Sequence, residues 1–320
     1  MLKLFSHNTI AQVLIIVATT LVLWLRAFVA PLEMVEPPLF APLYKLLYGW
    51  LCGLPRLATA LALLLVVGQA IWMNLLLHNN KTMHSASLLP TLLFVLCMSW
   101  ESSRLTLTPV LLATVPLIAA TSQLLTSGGT RLSTERNFDA AFFIGIATLC
   151  YLPTIAYLLP LVVILITYKM YRWRHFAVAL LGLIAPWLLY LLCIFMNDTL
   201  PERLAMLAAD MGSLDLRLQV QTFWPMLSTI LFVVVLLVAL MHTIGSASDN
   251  VNYMRINSRV LTVPLLASVV MALYAWLLPF DPQSAAIPFT YTVYVMLTTS
   301  RKRAWINETL FWILYVVAIL

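Results

Sequence analysis

Two glutamates three residues apart are the best-placed groups for chemistry in this chain. In "AFVAPLEMVEPPLFAPLYKLLYGW" (27–50), Glu33 and Glu36 lie among four prolines. Pro37 disfavours helix in the residue before it, so the two acids belong to an extended, proline-stiffened segment rather than to one helix face. A carboxylate held there can serve as a general base toward a hydroxyl, alone or beside a metal. The same pattern also describes two solvated loop acids. "SWESSRL" (99–105) adds Glu101 and Arg104 at i, i+3, a pair worth a few tenths of a kcal/mol on a surface. Arg104 and Arg56 are candidate phosphate contacts, because the guanidinium fork matches phosphate oxygens.

Other chemistries leave no trace. The chain has no H-E-x-x-H, no G-x-x-x-x-G-K-[ST] and no G-x-G-x-x-G, and only nine glycines. His78 and His84 flank "LHNNKTMHSAS" with a spacing that fits solvated interfacial residues better than metal ligands. Cys52, Cys97, Cys150 and Cys193 each stand alone in apolar sequence, which predicts packing residues and neither disulfides nor zinc. No metal or cofactor is expected.

The elements that must position these residues are set by composition. At 62% hydrophobic, 9% charged and a mean hydropathy of +0.97, the chain falls far from soluble domains, which carry about a quarter charged residues. It reads as one integral membrane domain over residues 1–320. Apolar segments occur at about 9–30, 57–77, 88–100, 109–125, 138–151, 154–168, 176–196, 222–242, 260–278, 286–299 and 305–320. An all-α polytopic fold of about eleven (nine to eleven) spans follows. The segments at 88, 138, 154 and 286 fall short of the roughly twenty residues of a perpendicular span, so some are expected to be half-helices or re-entrant. Leu152-Pro153 marks either a sharp turn between two helices or a kink in one. The first run, about Thr9 to Val29, exceeds a signal-peptide core and lacks a small-residue cleavage pattern, so it reads as a retained helix.

Charge supplies the orientation. With the N-terminus in the cytoplasm and eleven alternating segments, twelve of the eighteen Lys and Arg residues fall inside and eight of the twelve acids outside. The basic balance is thus topology rather than a nucleic-acid signal, and the C-terminus is predicted to be periplasmic. Two long loops, 31–56 and 197–221, then lie on the outer face. In the second, Leu204, Leu207, Ala208 and Met211 recur at helical spacing, which predicts an interfacial amphipathic helix that could dock a partner. "LYKLLYGWLCGL" (43–54) reads as a second interfacial segment. No charge sits deep in an apolar run. Gln69 and Asn74 are expected to bond between helices, and Asp139 to occupy a helix's first turn.

"FDAAFFIGIATLCYLPTIAYLLPLVVILITYK" and "WRHFAVALLGLIAPWLLYLL" resemble an uncharacterised family of polytopic inner-membrane proteins found in Bacteroidota. "MLKLFSHN", "PPLFAPLYKLLYGW" and "SLLPTLLFVLCMS" extend that resemblance over most of the chain. More distantly, the layout is similar to the polytopic C-type glycosyltransferases, which use lipid-linked sugars. That similarity implies a catalytic base in the first outer loop, at Glu33 or Glu36, and a polyprenyl-linked substrate. The chain departs from those enzymes in lacking their paired acidic motif and large soluble domain, and in carrying glutamate for aspartate. Three functions follow as expectations: a glycosyltransferase-like protein of envelope biogenesis, a non-catalytic membrane subunit that docks other envelope proteins, and a transporter.

Overall fold

A chain immersed in lipid must satisfy its backbone donors and acceptors internally, and helices do so segment by segment. A computed structural model describes residues 9–37, 41–80, 82–83, 87–101, 104–125, 133–168, 170, 172–198, 223–246, 252–265, 282–299, 308, 309, 311, 312 and 315. All regular structure among them is helical. The α-helices are α1 (Thr9–Val29), α2 (Pro42–Leu51), α3 (Pro55–Asn79), α4 (Leu89–Met98), α5 (Pro109–Leu124), α6 (Thr134–Cys150), α7 (Leu158–Thr167), α8 (Trp173–Met196), α9 (Phe223–Ser246), α10 (Asn252–Thr262) and α11 (Ala286–Thr299). Short 3-10 turns occupy Leu152–Tyr157 and Pro282–Ala285. Helices α2 to α5 each carry proline in their first two positions, where its missing N–H costs nothing.

Among the described residues, three helices are long and apolar enough to cross a membrane: Ile10–Val29, Pro55–Asn79 and Trp173–Met196. Their exposed flanks are leucine, valine and isoleucine, as at Leu14, Leu64 and Leu188. The shorter helices are more enclosed. Every residue of α4 is buried, against α1, α3 and α11. A helix apolar on all sides fits only such a position. At ten residues α4 rises about 15 Å, half the hydrocarbon thickness, and the described residues that follow it, 99–101 and 104–108, belong to no α-helix. Leu105 to Thr108 of that stretch are buried, while Glu101 and Arg104 are partly exposed.

Six hydrogen bonds between elements fall into two sets. At one end of the bundle Trp24 Nε1 donates to Ser99 Oγ (3.0 Å), Thr108 Oγ1 to Gln283 Oε1 (2.6 Å) and Gln283 Nε2 to the Met98 carbonyl (3.0 Å). At the other, the Leu88 amide donates to Gln12 Oε1 (2.9 Å), Tyr168 to the Leu124 carbonyl (3.1 Å) and Asn257 Nδ2 to the Asn80 carbonyl (3.3 Å). Gln69 forms the expected interhelical bond, from Nε2 to the Leu111 carbonyl at 2.9 Å. Asn74 Oδ1 has no partner among the described residues.

The break at Leu152-Pro153 separates two helices. Tyr151 is extended (φ −154°, ψ 104°), the 3-10 turn follows, and α7 completes the return. The 3-10 rise of about 2.0 Å per residue stretches this return to roughly 27 Å, close to the ~25 Å of α6. Helices α6 and α8 therefore run parallel. Their partners advance together: Asn137 Nδ2 donates to the His175 carbonyl (2.7 Å), and Trp187 Nε1 donates to Thr148 Oγ1 (2.9 Å). Between those bonds Gly145 faces Leu183 and Pro186, while Gly182 faces Phe138 and Ala141.

Two expectations need correction. Asp139 lies in the second turn of α6, because Ser133 Oγ accepts from the Arg136 amide and starts the helix before the apolar run, leaving Glu135 in the first turn. Only Cys97 and Cys150 are packing residues, since Cys52 and Cys193 fall on outward faces of their segments and are exposed. The amphipathic segment with Leu204, Leu207, Ala208 and Met211, His84, and most of 260–278 and 305–320 lie outside the described residues.

A Cβ at Gly145 would stand 2.6 Å from the Leu183 carbonyl oxygen, and one at Gly182 2.6 Å from the Phe138 oxygen. Both neighbours are backbone, so the helices themselves must part. Gly145→Ala and Gly182→Ala are each expected to cost about 1–3 kcal/mol in detergent unfolding. Gly68→Ala, with nothing within 4 Å of the added methyl, should be neutral or stabilising by up to about 1 kcal/mol.

Candidate functional site

The segment bearing Glu33 and Glu36 is held by a tyrosine. Residues 31–37 carry no helix, as Pro31 and Pro37 require, and Glu33 and Glu36 are both exposed along it while Met34 is buried between them. Their anchor is Tyr44 on α2, which is fully buried. Its hydroxyl faces two carbonyls, donating toward Val35 at 2.7 Å and toward Leu107 at 3.0 Å. One phenol thus ties the acid-bearing segment to the buried backbone after α4. Burial, with Tyr48 beside it, pushes the Tyr44 phenol well above its ordinary range, so it keeps the shared proton.

Of the other predicted site residues, Glu101, Arg104 and Arg56 are among the described ones. Arg104 Nε meets Glu101 Oε2 at 2.9 Å, the i, i+3 pair expected from their spacing. Both side chains are partly exposed, which limits the pair to a few tenths of a kcal/mol. Arg56 is exposed in the first turn of α3. His78 is exposed at the end of that helix, and among the described residues no three His, Cys, Asp or Glu side chains gather as a metal site would require.

On the opposite side of α2 from Tyr44 lies a groove of about 620 Å³. Pro42, Leu43, Lys45 and Leu46 of α2 form one wall. Phe142, Ile146 and Leu149 of α6 form the second, and Pro186, Leu189, Tyr190, Cys193 and Ile194 of α8 the third, with Asn197 at the helix end. These are the C-terminal halves of α6 and α8. The groove follows from the parallel pair: α6 and α8 meet closely at their glycines, and α2 lies against their C-terminal halves. Helix α8 stops where Asn197 turns its Nδ2 onto the Cys193 carbonyl (2.9 Å) and Asp198 takes a left-handed φ of 53°, a conformation aspartate tolerates.

Glu33, Glu36, Arg56, Glu101 and Arg104 are not among the groove's lining residues. Tyr44 brings the segment holding Glu33 and Glu36 against the loop that follows Arg104, and α2 stands between that segment and the groove. Sequence reasoning passed over Tyr44, Lys45, Tyr190 and Asn197 as binding residues. A signal existed in the small residues Ala141 and Gly145, four apart, opposite Gly182, since such spacing marks close helix approach in membranes. The chain matches no protein-family model, no curated protein and no solved structure.

Removing the Tyr44 hydroxyl strips two carbonyls of their common donor. Tyr44→Phe is expected to cost about 1–3 kcal/mol and to raise amide exchange across 31–37 while leaving the α6–α8 pair protected. The sign of the pH effect follows from the raised phenol. Below about pH 10, the ordinary tyrosine value, the bond and its contribution are intact. Above that, the unfolded chain sheds a proton the folded chain retains, so stability should fall with pH, and less steeply in Tyr44→Phe.

Proposed function

We propose that this chain is a multi-pass protein of a bacterial inner membrane that handles a lipid-linked substrate at the outer face during envelope biogenesis. The groove between α2, α6 and α8 carries that reading. Its walls are mostly apolar, its rim holds Lys45 and Asn197, and it sits at the end of the bundle where Tyr44 anchors the acid-bearing segment. A site with a deep apolar wall and a few polar groups at the mouth suits an amphiphile.

In this reading about eleven segments alternate across the bilayer, with the N-terminus cytoplasmic, the C-terminus periplasmic, and α2 lying in the outer interface. Three observations support the arrangement: the two sets of inter-element hydrogen bonds, the exposure of Trp50 at the groove end, and that of Trp173 at the other. Tryptophan at both ends suits the two headgroup regions. The reaction proposed is glycosyltransferase-like. Glu33 or Glu36 takes a proton from the attacking hydroxyl, while Arg104 or Arg56 contacts a phosphate of the donor. Exposure of both acids on an anchored extended segment supports such a role, because a base must be reachable and held.

The test is complementation of a deletion strain. The Glu33→Gln, Glu36→Gln double variant should insert at the level of the parent and lose function, with one single variant carrying most of the loss. Full complementation by the double variant removes the catalytic role. Loss of function on replacing Leu204, Leu207 and Met211, with the acids dispensable, would instead favour a docking subunit.

A further inference from the structure

We propose that Arg136, Arg172 and Arg174, at the shared N-terminal end of α6 and α8, hold the headgroup of an anionic phospholipid whose chains lie down the outward face of α8. The site is at the other end of the helix pair from the groove. It depends neither on the proposed reaction nor on which side of the membrane is cytoplasmic.

Packing gathers the cations. Asn137 Nδ2 donates to the His175 carbonyl at 2.7 Å, which sets the first turns of the two parallel helices level. Arg136 precedes Asn137 and Arg174 precedes His175, so one bond brings arginines from separate segments side by side. Arg172, the residue that opens α8, is the third. Asn137 is fully buried, and the bond is therefore fixed in the core while all three arginines beside it are exposed.

Their charge is not offset within the protein. Among the described residues no carboxylate lies within ion-pair distance of Arg136, Arg172 or Arg174, although Glu135 and Asp139 share α6 with the first of them. The positive ends of two helix dipoles add to the field instead of relieving it. A phosphate that reaches more than one guanidinium fork is the complement of such a cluster.

Two features select a lipid over a soluble anion. Trp173 stands between Arg172 and Arg174 in the chain and is 75% exposed, as suits an indole at the headgroup level. Leu180, Leu181, Ile184 and Leu188 follow it at spacings that share its face of the helix, and all four are exposed. Helix α8 is long and apolar enough to cross a membrane, so this stripe offers acyl chains a surface continuous with the arginines. A free phosphate or an acidic peptide would use the charges and leave the stripe uncovered.

Native mass spectrometry of the full-length protein in detergent reads binding of the first lipid. Dioleoyl phosphatidylglycerol is expected to bind at least about tenfold more tightly than dioleoyl phosphatidylcholine, which has the same chains and no net charge. Arg136→Gln, Arg172→Gln and Arg174→Gln should each weaken it about fivefold and leave phosphatidylcholine unchanged. Replacing all three with lysine should keep most of the preference, because the charge remains. Arg259→Gln removes an exposed arginine of α10, which packs on α5, α7 and α11, and should change binding less than twofold.

Equal affinity for the two lipids overturns the proposal without reference to any variant. A loss at Arg259 as large as at the three arginines also overturns it, replacing a site with a general basic field. Displacement of phosphatidylglycerol by an equal concentration of glycerol 3-phosphate would assign the arginines to a soluble phosphate. Equally tight binding of hexaglutamate would assign them to an acidic protein segment, and either result overturns the lipid. Should a glutamine variant make the buried Cys97 or Cys150 reactive to a maleimide, the unaltered protein decides. Its arginines are modified with phenylglyoxal and read by peptide mass spectrometry. Phosphatidylglycerol that protects Arg136, Arg172 and Arg174 no more than Arg259 overturns the proposal.

Discussion

One close approach in the bundle is between two backbones. Gly145 and Gly182 each face the other helix's peptide carbonyl at a distance that would put a methyl at 2.6 Å, so α6 and α8 touch main chain to main chain. In lipid no hydrophobic force drives apolar helices together, and close packing of small residues must supply the attraction. This contact fixes much else. It makes the pair parallel and thereby requires the 152–167 segment to cross back within sixteen residues, which the extended Tyr151 and the 3-10 turn accomplish. It also leaves Phe142 and Ile146 on one helix, and Leu189 and Cys193 on the other, facing the groove.

Short helices impose a different constraint. Helix α4 has ten residues and ends at Met98, and side chains from distant segments tie its end and the residues after it. Trp24 reaches Ser99, Gln283 reaches Met98, Thr108 reaches Gln283 and Tyr44 reaches Leu107. These partners are hydroxyls, an amide and an indole, all uncharged, while Glu101 and Arg104 in the same stretch pair with each other where both are partly exposed. The aromatic column of Trp100, Phe232 and Phe289, with centroids 5.2 and 4.7 Å apart, closes the apolar side of the same region. Tyr44 belongs to both systems, since its second carbonyl lies in the segment bearing Glu33 and Glu36.

Apolar runs and prolines made the helical elements legible, because hydropathy and the missing proline N–H act locally. The runs at 9–30, 57–77 and 176–196 correspond to α1, α3 and α8, and the break at Leu152-Pro153 falls where proline placed it. Contacts set by the third dimension were harder to read. Asp139 was drawn to the helix start by the apolar run at 138, but a serine cap with Glu135 behind it extends α6 into polar sequence. Cys52 and Cys193 share the apolar flanks of Cys97 and Cys150 and differ only in the face they occupy. Glu101 and Arg104 paired as their spacing implied, because that contact is local. Lys45 carried no local sign of its place at a groove. Two of the three walls come from segments about a hundred and one hundred and fifty residues away.

The position of α2 explains why chemistry and binding would converge at one end of this molecule. A ten-residue helix opened by Pro42 and followed by Cys52, Gly53 and Pro55 is too short to cross the bundle and too apolar to leave it, so it lies across the ends of α6 and α8. One face must then be buried and the other must cover something. Tyr44 fills the first requirement and in doing so fixes Val35, one residue from Glu36. Pro42, Leu43 and Leu46 fill the second, and place Lys45 beside them at the rim. The acid-bearing segment and the groove are thus two consequences of seating one amphipathic helix, and any force that tilts α2 moves both together.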